Sequence, residues 1–136
     1  MKTLILLCGL PRSGKSTWAK QQGHPIVNPD SIRLAVHGQR FIAATEPLVW
    51  VTAKYMVRAL FLAGHDTVIL DATNNTEKRR QEWYTEARLN DYNVTLKIID
   101  TPASVCIDRA KAEGDKAIIP VIEKMAAECD LPEVLK

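Results

Sequence analysis

Residues Gly9-Leu10-Pro11-Arg12-Ser13-Gly14-Lys15-Ser16 fit the spacing G-x-x-x-x-G-K-[ST]. Glycines at the two fixed positions let successive backbone N–H groups curl around an anion. A lysine at this spacing reaches the β- and γ-phosphates of a nucleotide, and the Ser16 hydroxyl can ligate Mg²⁺. The apolar run from Thr3 to Cys8 reads as a short buried strand before the loop. The segment from Lys15 to Gln22 reads as a helix whose N-terminus, with Thr17 in its first turn, faces the same anion. Gly9 through Thr17 are therefore the expected cradle for ATP or another nucleoside triphosphate, with Mg²⁺.

Moving a phosphoryl group from such a site also needs a base beside the acceptor hydroxyl, a carboxylate for the metal, and cations over the moving charge. The elements decide which residues can reach it. After the breaker cluster Gly23-His24-Pro25, Ile26-Val27 reads as a second strand, and Asp30 to His37 as a brief helix. Thr45 as N-cap and Pro47 in the first turn start a long helix from about Glu46 to Ala63. Gly64 ends it, and Leu48, Val51, Met56, Ala59, Leu60 and Leu62 are its expected apolar positions. Thr67 to Leu70 is a third strand that delivers Asp71, and a fourth helix begins near Thr76. Asn93 to Ile99 is a fourth strand ending at Asp100. Helices from about Ala103, and from Ile119 to Cys129, flank the polar stretch Lys111 to Lys116. Strands alternating with helices imply a three-layer α/β fold, a four-stranded parallel sheet with helices on both faces. Ligands of such sheets sit at the carboxyl ends of the strands, which places Asp30 and Asp71 beside the phosphate loop as candidates for base and metal carboxylate. Asp100, before Thr101-Pro102, reads as a turn residue.

A chain of 136 residues with 46% hydrophobic content can bury one core, so residues 1–136 are expected to form a single domain. A net charge of +2 is too mild to argue for nucleic acid by itself. Cys8, Cys106 and Cys129 lack metal spacing and read as reduced core thiols of a cytoplasmic protein. The apolar stretch from Leu4 to Cys8 is too short for a signal-peptide core and runs into the phosphate loop, so neither a cleaved leader nor a membrane span is expected. Lys78-Arg79-Arg80, with Trp83 and Arg88, could bind phosphate and stack on bases. Glu77, Glu82 and Glu86 among them make a solvated helix face the plainer reading. Trp18, Trp50, His24, His37 and His65 read as packing or surface residues, and His37 to Phe41 as a loop over the acceptor site.

GLPRSGKSTWA, NPDSIR, LDATNNTEKRR and the stretch from Arg109 to Pro120, in this order and spacing, resemble the kinase domain of the phage-type 5′-polynucleotide kinases and the related small P-loop kinase-like ATPases. The resemblance covers nearly the whole chain. Many NTPases share the loop alone, whereas Asp-x-x-Arg after the second strand and Asp-x-Thr-Asn after the third are more specific. The resemblance implies an ATP- and Mg²⁺-dependent phosphotransferase in which Asp30 takes the proton from a polynucleotide 5′-hydroxyl. Arg33 would hold the phosphate next to the attacking nucleoside, and Asp71, Thr73 and Asn74 would line the acceptor pocket. A Walker-B-like metal role for Asp71 stands beside that one. The resemblance also implies a lid at about residues 109–118, with Arg109 the first of two arginines that close over the donor phosphates.

The second lid arginine falls on Glu113, and an acid there cannot stabilise developing negative charge. Lys111 or Lys116 could replace it, although lysine lacks the planar fork; otherwise the register shifts or the activity is altered. Two other readings share the loop: a small-molecule kinase acting on a sugar, nucleoside or antibiotic hydroxyl, and a nucleotide-driven ATPase switch without an acceptor. Arg33 separates the first from a polynucleotide kinase, because a neutral acceptor needs no cation there.

Overall fold

The computed structural model describes residues 1–131. Four strands, β1 (Thr3–Cys8), β2 (Ile26–Val27), β3 (Thr67–Leu70) and β4 (Asn93–Ile98), form one sheet in the order β2-β3-β1-β4, with every pairing parallel. Parallel neighbours need crossovers, and helices α1 (Lys15–Gln22), α2 (Pro29–His37), α3 (Glu46–Leu62), α4 (Glu77–Asn90), α5 (Ala103–Ala112) and α6 (Ile119–Glu128) supply the connections and the outer layers. β1, α1, β2 and β3 have the bounds that the sequence predicts, and β4 and α6 each stop one residue early.

β1 is central because it is apolar on both faces. Leu4 and Leu6 pack with Val68 and Leu70 against α3 and α4, while Leu7 and Ile69 pack against Ala19 of α1. Cys8, Leu10, Cys106, Ala110 and Ile122 bury α5 and α6 at the end of β1. The three cysteines are buried thiols outside any disulfide. Leu6 sits level with both Leu70 and Leu96, and Val27 with Leu70, so the strands finish side by side and their following loops share one edge.

α3 corrects the expected apolar stripe. Val49, Ala53, Val57 and Phe61 face the core at four-residue spacing, whereas Leu48, Val51, Met56 and Leu62 are exposed. The helix is apolar on both faces, and periodicity alone selected the outer one. Its N-terminus also differs: the Thr45 hydroxyl donates to the carbonyl of Ile42 at 2.9 Å instead of capping the helix. Among the described residues no helix is long and apolar enough to cross a membrane.

Candidate functional site

The phosphate loop is fixed by close backbone approaches. A Cβ on Gly9 would lie 2.8 Å from Ser13 Oγ and 3.0 Å from the carbonyl oxygen of Ile99, so only glycine fits. Gly14 has φ +101°, and Arg12 adopts φ 69°, both left-handed. Lys15 Nζ donates to the Leu10 carbonyl at 2.8 Å, which keeps the loop wrapped around its own lysine. Burial pushes the Lys15 ammonium below its usual pKa, and the charge of Asp71 opposes that shift. From below, Thr101 Oγ1 donates to the Ser13 carbonyl at 2.7 Å, and the Gly9 N–H donates to the carbonyl of Thr73 at 3.0 Å.

Asp71 is the hub where three strand ends meet. Its Oδ2 accepts from Ser16 Oγ at 2.6 Å and from Asn28 Nδ2 at 3.2 Å. Asn28 Oδ1 caps α2, accepting from the N–H groups of Asp30 (2.8 Å) and Ser31 (3.3 Å). One side chain thus ties the carboxylate after β3 to the helix that carries Asp30. The sequence reading missed Asn28; its signal was an Asn-Pro-Asp helix start. Ser16 and Asp71 together are a hard-oxygen pair suited to Mg²⁺. No group of three or more His, Cys, Asp or Glu among the described residues could hold a metal, so an ion here would complete its shell from donor phosphates and water.

Asp30, on the first turn of α2, is 70% exposed. Its Oδ1 accepts from Arg33 Nη1 at 2.6 Å. Arg33 also grips Glu46 with a two-point fork, Nε to Oε2 at 2.9 Å and Nη2 to Oε1 at 2.7 Å. These bonds hold the Glu46 carboxyl below its usual pKa. Arg33 therefore already has two carboxylate partners, one of them Asp30. Beside them a pocket of about 580 Å³ opens between β2, α2 and α3. Ser16, Asn28 and Asp71 border its polar end, and Ile32, Val36 and Met56 its apolar wall.

The segment from Arg109 to Asp115, expected to be part of a lid, contacts the loop. Arg109 Nη1 donates to the Arg12 carbonyl at 3.0 Å. The Arg12 guanidinium pairs with Glu113 and, at 2.7 Å, with Asp115 Oδ2, which also accepts from Arg40 at 2.8 Å. Hydrogen bonds from Arg40 and Arg12 hold the Asp115 carboxyl at about 2. The segment from His37 to Phe41 thus reaches the lid. Lys111 and Lys116 are exposed and make no ion pair among the described residues.

Two expected roles change in the structure. Asn74 is buried with φ 44°, and its Nδ2 donates to the Leu7 carbonyl at 2.7 Å, so it pins β1 and is turned away from the pocket. Lys78-Arg79-Arg80 with Trp83 is only partly a solvated face: Lys78 is exposed, and the others are drawn inward. Trp83 is fully buried; Arg80 is buried, donates to the Asn74 carbonyl at 2.9 Å and pairs with Asp130; Arg79 lies 4.0 Å over the Trp50 ring. Packing of α4 has taken up Arg79 and Arg80, whereas Lys78 and Arg88 of the same cluster stay exposed.

The family model described as AAA domain matches residues 4–132. Among solved structures, a chain of the Pnkp1/Rnl/Hen1 complex aligns at 28% identity and TM-score 0.69, over 79% of this chain and 38% of that one. A chain of the Pnkp1/Rnl/Hen1 RNA repair complex aligns at 22% identity and TM-score 0.71, over 95% of this chain and 46% of that one. The present chain spans less than half the length of either. A gluconokinase from Sinorhizobium meliloti 1021 shares the fold, with 14% identity, TM-score 0.63, and coverage of 96% and 77%.

Proposed function

We propose, from the premise that this chain belongs to the AAA domain family and has a P-loop kinase-like fold, that it is an ATP-dependent phosphotransferase acting on the 5′-hydroxyl of a nucleic-acid end. The observation that carries the reading is the chain of contacts from Ser16 through Asp71 and Asn28 to the first turn of α2. It links the donor loop to the helix start that carries the exposed carboxylate Asp30, and its members Ser16, Asn28 and Asp71 border one pocket. The likeness at 28% identity to a chain of the Pnkp1/Rnl/Hen1 complex supports a polynucleotide acceptor.

In the proposed reaction Asp30 accepts the acceptor proton as the acceptor oxygen bonds to the γ-phosphorus. The bond from phosphorus to the β–γ bridging oxygen breaks, ADP leaves, and Asp30 returns its proton to solvent. Lys15 and the loop N–H groups hold the donor phosphates, and Arg109 approaches them from the lid. Ser16 and Asp71 would hold Mg²⁺, which neutralises donor phosphate charge when bound. Arg33 both steadies Asp30 and, by exchanging a carboxylate for phosphate, binds the acceptor strand. The double engagement of Arg33 and the apolar pocket wall favour a second reading, a kinase for a small neutral alcohol.

Transfer of label from γ-labelled ATP, with Mg²⁺, to 5′-hydroxyl DNA and RNA oligonucleotides tests the proposal beside a panel of sugars and nucleosides and a no-acceptor control. Labelled oligonucleotide ends support it. Label on a small alcohol alone selects the second reading, and phosphate released without acceptor overturns both.

A further inference from the structure

Glu113 follows α5 one turn after Arg109, where the resembling family places a second lid arginine. In this fold the acid does not face the phosphates alone. It is matched by Arg12, which also binds Asp115. Arg12 lies inside the phosphate loop, between Gly9 and Lys15, and holds φ 69°, a backbone state that glycine adopts freely and other residues adopt at a cost. The loop accepts that strain to carry a guanidinium at its rim. The neighbouring Arg109 donates to the carbonyl of the same residue, and its Nη1 would lie 3.9 Å from a Cβ on Gly14. One arginine from α5 thus reaches the loop backbone, and one from the loop reaches back to the carboxylates that follow α5.

We propose that Arg12 is a catalytic residue that takes the place of the second lid arginine: it contacts the donor γ-phosphate in the transition state, with Glu113 and Asp115 of the lid holding it ready. The charge has moved from lid to loop, and the acid at the lid position has become its holder. A phosphoryl group in flight spreads negative charge over its equatorial oxygens, and a planar fork meets two of them at once. Lys111 and Lys116 offer no such fork and, among the described residues, join none of the loop's ion pairs. When a nucleotide fills the cradle, its phosphate replaces carboxylate oxygens around Arg12, and Arg40 keeps Asp115 neutralised at 2.8 Å.

The proposal rests on the phosphotransferase reading for the identity of the donor, and its test is independent of the acceptor. Arg12→Gly removes the guanidinium and relieves the left-handed strain, so the loop keeps its shape. Calorimetry gives the affinities of the full chain for ADP and for ADP with aluminium fluoride, a planar mimic of the moving phosphoryl. Turnover counts all γ-phosphate leaving ATP, to acceptor or to water. Arg12→Gly is expected to lower turnover and fluoride-dependent affinity by about 10²-fold or more and to leave ADP affinity within about threefold. Adding Glu113→Arg is expected to recover at least about tenfold of both. An Arg12→Gly chain within about threefold of the parent in both readouts overturns the proposal. So does an equal loss of ADP and ADP–fluoride affinity, which marks a purely structural loop residue. Failure of Glu113→Arg to recover either quantity overturns the exchange of positions. A chain that labels no acceptor fails the transfer reading, while the fluoride arm still reports on Arg12.

Discussion

The strand-end core of the site and its rim are held by different forces. Lys15 and Asn74 are buried and bonded to backbone carbonyls, and buried Asp71 is bonded to the Ser16 and Asn28 side chains. Asp30, Arg40 and Glu113 are exposed and held by ion pairs, Asp30 by Arg33 within α2 and the other two by partners from separate segments. Buried hydrogen bonds cost their full desolvation when one partner is removed, whereas exposed ion pairs contribute little and are screened by salt. The core is thus a fixed cradle and the rim an adjustable set of contacts. Acceptor choice and lid chemistry can change at the rim without unfolding the cradle.

Substitutions that hit the two regions separately can break or sharpen that contrast. Lys15→Ala should have the largest effect, lowering γ-phosphate turnover by about 10³-fold or more; activity near the parent level would show that the cradle does not hold the donor. Asn74→Ala loses the bond to Leu7 and puts alanine at φ 44°. It should destabilise the fold by about 2 kcal/mol, read as a lower urea midpoint with an unchanged slope. Arg33→Ala should raise the acceptor KM by roughly tenfold and lower kcat to a smaller extent. A pure kcat effect would make it only a support for Asp30. Glu113→Ala should be the mildest for stability, below about 1 kcal/mol and smaller still at high salt. The lid contact should also survive moderate acid. Asp115 is depressed below its unfolded value, so its contribution is full above that value and is lost as pH falls through about 2.

The cradle was legible in the sequence because its constraints are local. The spacing of Gly9, Gly14 and Lys15, the apolar strand before them and the helix after them lie within one short stretch. Asp71 could be placed for the same reason, at the end of the apolar run Thr67 to Leu70. The rim was not legible, because its partners are distant in sequence. Arg33 finds Glu46 across the α2–α3 loop, and Arg12 finds Asp115 from the opposite end of the chain. No pattern of types announces such pairs. Arg80 and Trp83 were misread in another way: charges on a helix suggest solvent, but here one arginine is buried to satisfy the Asn74 carbonyl behind the loop. α3 shows that two apolar stripes on one helix leave the choice of inner face to tertiary packing.

Asp30→Ala, compared with the parent for label transfer to 5′-hydroxyl oligonucleotides and for ATP affinity by calorimetry, tests the central claim most directly. A base at the rim of an intact cradle predicts transfer lowered by about 10²- to 10⁴-fold with ATP affinity within about threefold. Undiminished transfer by the Asp30→Ala chain would contradict the account.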